Sequence, residues 1–234
     1  MKRRTKRILL GVGLGGLGVG FVYWASRPSS PRSIHPTGLA FGQDLSPEER
    51  AKVVEIGKAL DVDPSYLTTM AYAESGISAA IHIFEKGRRS DGSIIWGRST
   101  NPDDITEKTF GGGLIGFTKY TAKGMGTNLW ELLHLSRLEQ WDWVYEFFRR
   151  HRASGTLPAN PTLWQIYMSC FLPADIEYAD EPNFVLAAKD GRRAGVWKAN
   201  RAADRNNDGK MTVKEAMARI DGILQKGISK GHVF

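Results

Sequence analysis

Residues 8–25, ILLGVGLGGLGVGFVYWA, run for 18 positions without a charge, and five cations stand before them at Lys2, Arg3, Arg4, Lys6 and Arg7. A run of that length is about the minimum for crossing a bilayer as a helix. Cations ahead of it hold the N-terminus on the cytoplasmic side and send the rest of the chain across. Tyr23 and Trp24 sit at the far end, where interfacial aromatics belong. Two readings stand. A cleavable signal peptide shares the charged start and apolar middle. The bulky residues before Ala25 and Ser26 fit a cleavage site poorly and favour an uncleaved signal-anchor. Gly-x-x-x-Gly spacing at Gly11/Gly15 and Gly16/Gly20 would let two such helices approach closely, giving a route to self-association.

The same residues account for the net charge of +7. Seven of the 32 lysines and arginines precede Asp44 and none of the 25 acidic residues does, so residues 44–234 balance to zero. A nucleic-acid-binding domain carries its positive excess on its folded face. No such excess exists here, and nucleic acid is excluded as the main partner. One cysteine, Cys170, excludes an intramolecular disulfide framework.

Residues 26–43 are rich in proline and serine and read as a tether, with the folded part expected from about residue 44. Ser46-Pro47-Glu48-Glu49 is a capping box with proline at the first helical position, followed by Val53, Ile56, Gly57 and Leu60 at helical spacing. Asp63-Pro64 opens a second helix, Ser136–Glu139 is another capping box, and Asn160-Pro161 is expected to open a further helix. Alternation of the strand kind is confined to residues 81–112, where Asp91-Gly92 suits a hairpin turn. The expected fold class is mainly α, with a small irregular or β-hairpin insertion, preceded by one N-terminal transmembrane helix. Trp130, Trp141, Trp143, Tyr145, Phe147 and Phe148 fall at helical spacing and read mostly as core, one of them being available to stack on a sugar.

The second helix places Glu74 unusually. Its apolar stripe is Leu67, Met70 and Ala71, and the next position on that face is 74. A carboxylate there loses hydration and lies near the negative end of the helix dipole; both effects raise its pKa. A carboxylic acid kept protonated near neutral pH can protonate a glycosidic oxygen. Periodicity alone equally allows a glutamate curling into solvent from a frayed helix end.

Glu74-Ser75-Gly76, then Gly113-Leu114-Ile115-Gly116-Phe117 and Thr121-Ala122, then Ser136, Gln140 and the aromatic run to Phe148, and finally Tyr167, together resemble the lytic transglycosylase and goose-type lysozyme family over residues 46–175. The resemblance implies a lysozyme-like helical domain over residues 44–195. It also implies cleavage of the β-1,4 bond between N-acetylmuramic acid and N-acetylglucosamine in peptidoglycan. Glu74 would act as acid and then base, with Ser75, Gly113, Leu114, Ile115, Phe117 and Tyr167 forming the substrate cleft. The attack would come from one of the sugar's own hydroxyls or from water, without a second carboxylate nucleophile, unlike the usual paired carboxylates. Should a second carboxylate be needed, Asp91, Asp103, Asp104 and Glu107 are the candidates. The sequence departs from the family where Gly116 replaces its glutamine, and where the interval from Glu74 to Gly113 is lengthened. With peptidoglycan as partner, the N-terminal segment reads as a single-pass anchor in a bacterial inner (cytoplasmic) membrane, the catalytic domain lying in the periplasm or outside the membrane.

Asp204-Arg-Asn206-Asn-Asp208-Gly209-Lys210-Met-Thr212-Val-Lys-Glu215 fits a twelve-residue EF-hand loop at each ligand place. Asp204, Asn206 and Asp208 supply side-chain oxygens, Lys210 its carbonyl, Thr212 a contact through water and Glu215 two oxygens, so Ca2+ is the expected cofactor. An Asn/Asp-rich capping turn without metal is the competing reading. Gly195–Ala203 is expected as the entering helix and Val213–Gln225 as the exiting one, within a C-terminal segment covering 196–234. Two non-enzymatic functions remain open: a wall-binding module that kept the fold, and a calcium-dependent membrane-anchored adaptor.

Overall fold

A computed structural model describes residues 38–90 and 94–230. The anchor, its Gly-x-x-x-Gly pairs, residues 26–37 of the tether and the Asp91-Gly92 turn lie outside the described residues. Among those described, no helix is long and apolar enough to cross a membrane. The fold is mixed: about half of it is helical and a small antiparallel sheet accompanies the helices.

In chain order the elements are α1 (Pro47–Leu60), α2 (Pro64–Ser75), β1 (His82–Arg88), β2 (Ile94–Ser99), β3 (Thr109–Gly112) and β4 (Phe117–Thr118). There follow α3 (Lys119–Gly124), α4 (Leu129–His134), α5 (Arg137–Ala153), α6 (Leu163–Phe171), β5 (Val185–Ala188), α7 (Ala194–Ala199), β6 (Lys210–Thr212) and α8 (Val213–Ser229). Local chemistry fixes most helix starts. The Ser46 and Ser136 side chains each accept an amide three residues on, while Glu49 and Glu139 reach back to complete both boxes. The helix expected at Asn160-Pro161 begins two residues later, because Thr162 and Gln165 form a capping box of their own.

Residues 81–118 hold more sheet than the hairpin expected. β1 and β2 pair antiparallel, and β1 also pairs with β3, which pairs with β4, in the order β2-β1-β3-β4. β3 and β4 escape a search for alternation because one ends in two glycines and the other has two residues.

The core gathers Leu67 and Met70 from α2, Trp141 and Phe148 from α5, Ile166 and Met168 from α6, and Met217 and Ile220 from α8. α2 packs against α1, α6 and α8. The folded region also begins before residue 44. Leu39, Ala40 and Phe41 are buried, and the Phe41 ring stacks on Tyr72 at 4.1 Å between centroids. The C-terminal segment shares this core through α8, so it is part of the same unit as residues 44–195.

Candidate active site

α2 is set at both ends. Asp63 caps its start by accepting the Ser65 amide at 2.8 Å, and Gly76 ends it with its amide on the Tyr72 carbonyl at 2.9 Å. Between these, Leu67, Met70 and Ala71 are fully buried, which turns the next member of the stripe, Glu74, towards the interior. Burial pushes the Glu74 carboxyl above the usual carboxylate range, while Arg219 and then Arg98 pull it back down. Desolvation outweighs two nearby positive charges, as expected for a carboxyl held largely out of water.

The segment after α2 is a frame for a tight turn at 113–116. The Ser75 hydroxyl lies 2.9 Å from the Ala71 carbonyl and 3.1 Å from the Leu114 carbonyl, and accepts the Ser78 amide. Gln140, fully buried on α5, accepts the Leu114 amide at 3.0 Å and donates to the Ala79 and Leu132 carbonyls at 2.9 Å each. One side chain thereby binds the turn, the segment after α2, and the end of α4. Gly113, at φ 75°, has no room for a Cβ because Gln140 Oε1 would stand 2.7 Å from it. Gly116, at φ 67°, faces Glu74: a Cβ there would lie 3.3 Å from Glu74 Oε2.

Of the expected site residues, Glu74, Ser75, Gly113 and Leu114 are thus brought together, and Gly116, the departure from the family pattern, faces the carboxyl. Ser75, Leu114, Ile115 and Phe117 are buried, so their side chains build the wall of the core and not a surface for ligand. Gly116 is the member of the turn nearer to solvent. Tyr167, on α6, is also close to the carboxyl. Burial first, then the Glu74 charge, pushes its hydroxyl up to about 12, against the neighbouring Arg219 guanidinium. Cys170 is half-buried, its thiol pushed up by loss of hydration and then by Glu74, with Sγ 3.2 Å from the Met70 sulfur. A thiol held protonated in this way is a packing group, not a nucleophile. Asp103, Asp104 and Glu107 are exposed, and Asp104 accepts a hydrogen bond from the Ser99 hydroxyl at 2.6 Å.

Two residues at this site went unseen in the sequence. Arg219, on α8, donates to the Ala73 carbonyl at 3.0 Å, across 146 positions, and Arg98 reaches the site from β2. Neither belongs to a local pattern; only the packing of α8 on α2 and the folding of β2 beside the turn reveal them.

The twelve-residue loop is closed by hydrogen bonds of its own side chains. Asp204 is buried; its Oδ2 accepts the Gly209 amide at 3.0 Å and the Trp197 indole at 3.1 Å, while Oδ1 is buried without a hydrogen-bond partner. A buried carboxylate oxygen without a donor is costly unless something positive meets it. Asn206 and Asp208 hold the turn by accepting the Asp208 and Lys210 amides. Thr212 begins α8 as its cap, and Glu215 is folded back onto it, Oε2 accepting the Thr212 amide at 2.9 Å and hydroxyl at 2.7 Å. With Glu215 in that rotamer, no three acidic, histidine or cysteine side chains converge on one point among the described residues. The donor set nevertheless fits Ca2+, which asks for hard oxygens in a compact loop and tolerates movement of a bidentate glutamate. α7 (Ala194–Ala199) and a short 3-10 turn (Arg201–Ala203) enter the loop and α8 leaves it; β6 within it pairs with β5.

No protein-family model, curated protein or solved structure matches this chain.

Proposed function

We propose that the protein is a peptidoglycan-cleaving glycosidase with a lysozyme-like helical domain, Glu74 being its catalytic acid and then base. One observation carries this reading: Glu74, in the last turn of α2, has its carboxyl pushed upward by burial and facing Gly116, where a Cβ would lie 3.3 Å from Oε2. A carboxylic acid in that state gives its proton to the departing glycosidic oxygen as the bond to the muramyl C1 breaks. The resulting Glu74 carboxylate stabilises positive charge on the sugar, then takes a proton from the attacking group. If that group is water, the product is a reducing end. If it is a hydroxyl of the same sugar, the ring closes and the product lacks one water.

Arg219 acts on this cycle through charge. Ionised Glu74 suits a site flanked by guanidinium groups better than protonated Glu74, so Arg219 assists the first half-reaction, in which the proton leaves and the carboxylate forms. Ca2+, held by Asp204, Asn206, Asp208, Lys210 and Glu215, supplies no chemistry; it pins the loop from which α8, and with it Arg219, departs. The N-terminal apolar run serves as an anchor in a bacterial inner membrane and sets the folded unit towards the wall.

Zymography on peptidoglycan with wild type and Glu74→Gln tests the reading, with mass spectrometry of the released fragments. Clearing by wild type and none by the variant is the expected result. Equal clearing by a folded Glu74→Gln protein removes Glu74 from the mechanism. No clearing by either, with retention on insoluble wall, leaves a wall-binding module instead.

A further inference from the structure

The inserted sheet bears an exposed face that the catalytic reading does not use. Along β2, exposure alternates, and Trp96 and Arg98 are the two exposed residues, two positions apart on one face. Phe110 of β3 joins them: the Trp96 and Phe110 rings lie 5.3 Å apart between centroids, tilted by 58°, and each is 48% exposed. The opposite side of β2 is filled, since the Phe84 ring lies where a Cβ on Gly97 would be. The face adjoins the site through the sheet register: Arg98 pairs with Ile83 and Ile83 with Gly111, where a Cβ would lie 3.4 Å from the Gly116 carbonyl oxygen.

We propose that this face is a glycan-binding arm of the Glu74 site, in which Trp96 and Phe110 stack on a sugar ring and Arg98 pairs with a carboxylate carried by the same strand. The proposal rests on the glycosidase reading and adds to it the residues that hold the strand beyond Glu74 and the group on it, a carboxylate, that one of them reads. The C–H face of a β-linked pyranose is apolar and matches an aromatic ring that is exposed and held by a neighbouring ring. A guanidinium one sugar's reach further along offers two parallel donors to a carboxylate. The folded part of the chain carries no excess positive charge, so two guanidinium groups beside Glu74, Arg98 on one wall and Arg219 on α8, are a local concentration and not a reflection of composition. Two exposed aromatic rings in contact are also unusual on a sheet face that meets only water. The carboxylate has two sources in peptidoglycan: the lactyl group on a strand stripped of peptides, and the stem peptide on an intact strand.

The test is binding of the full-length Glu74→Gln protein, in detergent, to three ligands: intact peptidoglycan, peptide-stripped strands, and stripped strands with their carboxyl groups converted to amides. Trp96→Ala, Trp96→Leu and Phe110→Ala are each expected to weaken binding to all three by about tenfold, the equivalent of losing one aromatic stack. Arg98→Gln is expected to weaken binding to stripped strands about tenfold and leave the amidated strands unchanged, if the lactyl carboxylate is read. Loss confined to intact peptidoglycan assigns Arg98 to the stem peptide. Trp96→Leu keeps apolar bulk at an exposed site, so a variant that melts like its parent yet binds as tightly overturns the arm. An Arg98→Gln protein that binds each of the three ligands as tightly as its parent overturns the anion contact. The two readings fail separately: cleavage by wild type with binding unchanged in these variants leaves the glycosidase and removes the arm, whereas weakened binding with no cleavage by wild type leaves the arm and removes the glycosidase.

Discussion

Gly116 and Glu74 share one small space. A Cβ on Gly116 would stand 3.3 Å from Glu74 Oε2, on a backbone at φ 67° that side chains rarely adopt. The family resemblance has a glutamine at this place, and in this chain the geometry has no room for it while Glu74 keeps its position. Gly116→Gln is therefore expected to lower both stability and activity, although it restores the familiar residue. The left-handed backbone alone costs about 1–2 kcal/mol for a residue with a Cβ. For a unit of this size that is a fall of about 2–8 °C in melting temperature. Gly116→Ala separates the two effects: it carries the same backbone cost with the least crowding, so it should retain more activity than Gly116→Gln. Thermal melts and peptidoglycan clearance on both variants check this, and equal activity in the two would show that crowding of Glu74 is unimportant.

The pH dependence follows from the burial of Glu74. Its folded pKa lies above the unfolded one, so the proton is bound more tightly in the folded state. The stability this gives is complete below the unfolded value and is lost as pH rises through the folded value. Wild type should accordingly lose ground to Glu74→Gln as pH is raised through that window, and the two should converge below it. Activity that needs protonated Glu74 falls over the same rise. Arg219 is the larger of the two influences that lower this pKa, so Arg219→Ala should move the alkaline limb of kcat/KM to higher pH. A limb that stays where it was would remove Arg219 from contact with the reacting carboxyl.

What the sequence made legible was local. The boxes at Ser46/Glu49 and Ser136/Glu139 are closed by residues three apart, and both form as read. The stripe Leu67, Met70, Ala71 is buried as its spacing requires, and position 74 follows it inward. What stayed hidden was carried by distance or by short elements. β4 has two residues and no alternation to detect. Arg219 meets Ala73 across 146 positions, and nothing near either residue marks the contact. Phe41 was assigned to a tether by its proline-rich neighbours, but its ring has Tyr72 to stack on, a partner that exists only once α2 is placed. Trp130, at core-like helical spacing, is 57% exposed, because α4 is a helix of six residues with Leu129, Leu132 and Leu133 already occupying its inner face.

Gln140 should be the costliest polar residue to remove near the site. Its side chain is fully buried and serves the Leu114 amide and the Ala79 and Leu132 carbonyls. Gln140→Leu keeps much of the volume and strips these partners, each left-over buried group costing about 1–3 kcal/mol. A loss of about 2–4 kcal/mol in denaturant titration is expected once the structure relaxes around the gap. Gln140→Glu retains the acceptor for Leu114 but sets a buried carboxylate oxygen against the Ala79 and Leu132 carbonyls, so at neutral pH it should be at least as destabilising as Gln140→Leu. Activity should drop with both, since the turn that faces Glu74 is anchored here. A Gln140→Leu protein with wild-type stability would show the turn to be held by its backbone alone.

The twelve-residue loop proposed to bind Ca2+ allows a separation of structure from ligation at a single oxygen. Asp204 Oδ2 is engaged with the Gly209 amide and the Trp197 indole, whereas Oδ1 is buried and unpartnered. Asp204→Asn can present its carbonyl oxygen to both donors and removes the buried charge at the orphaned position. Without calcium, the variant should therefore melt at or above the wild-type temperature. With calcium the order should reverse. Saturation at one hundred times the dissociation constant adds about 2.7 kcal/mol to a protein that binds the ion only when folded. Wild type should gain about 5–11 °C under those conditions, and EDTA should abolish the gain. The variant should gain far less, having lost a charged ligand at the first place of the loop. Glu215→Gln gives the complementary result, since Glu215 Oε2 also caps α8 through Thr212: weaker calcium response, with the cap retained by the amide oxygen. Identical calcium responses in wild type and Asp204→Asn would assign the twelve-residue pattern to a capping turn and leave α8 to be positioned by its packing on α2.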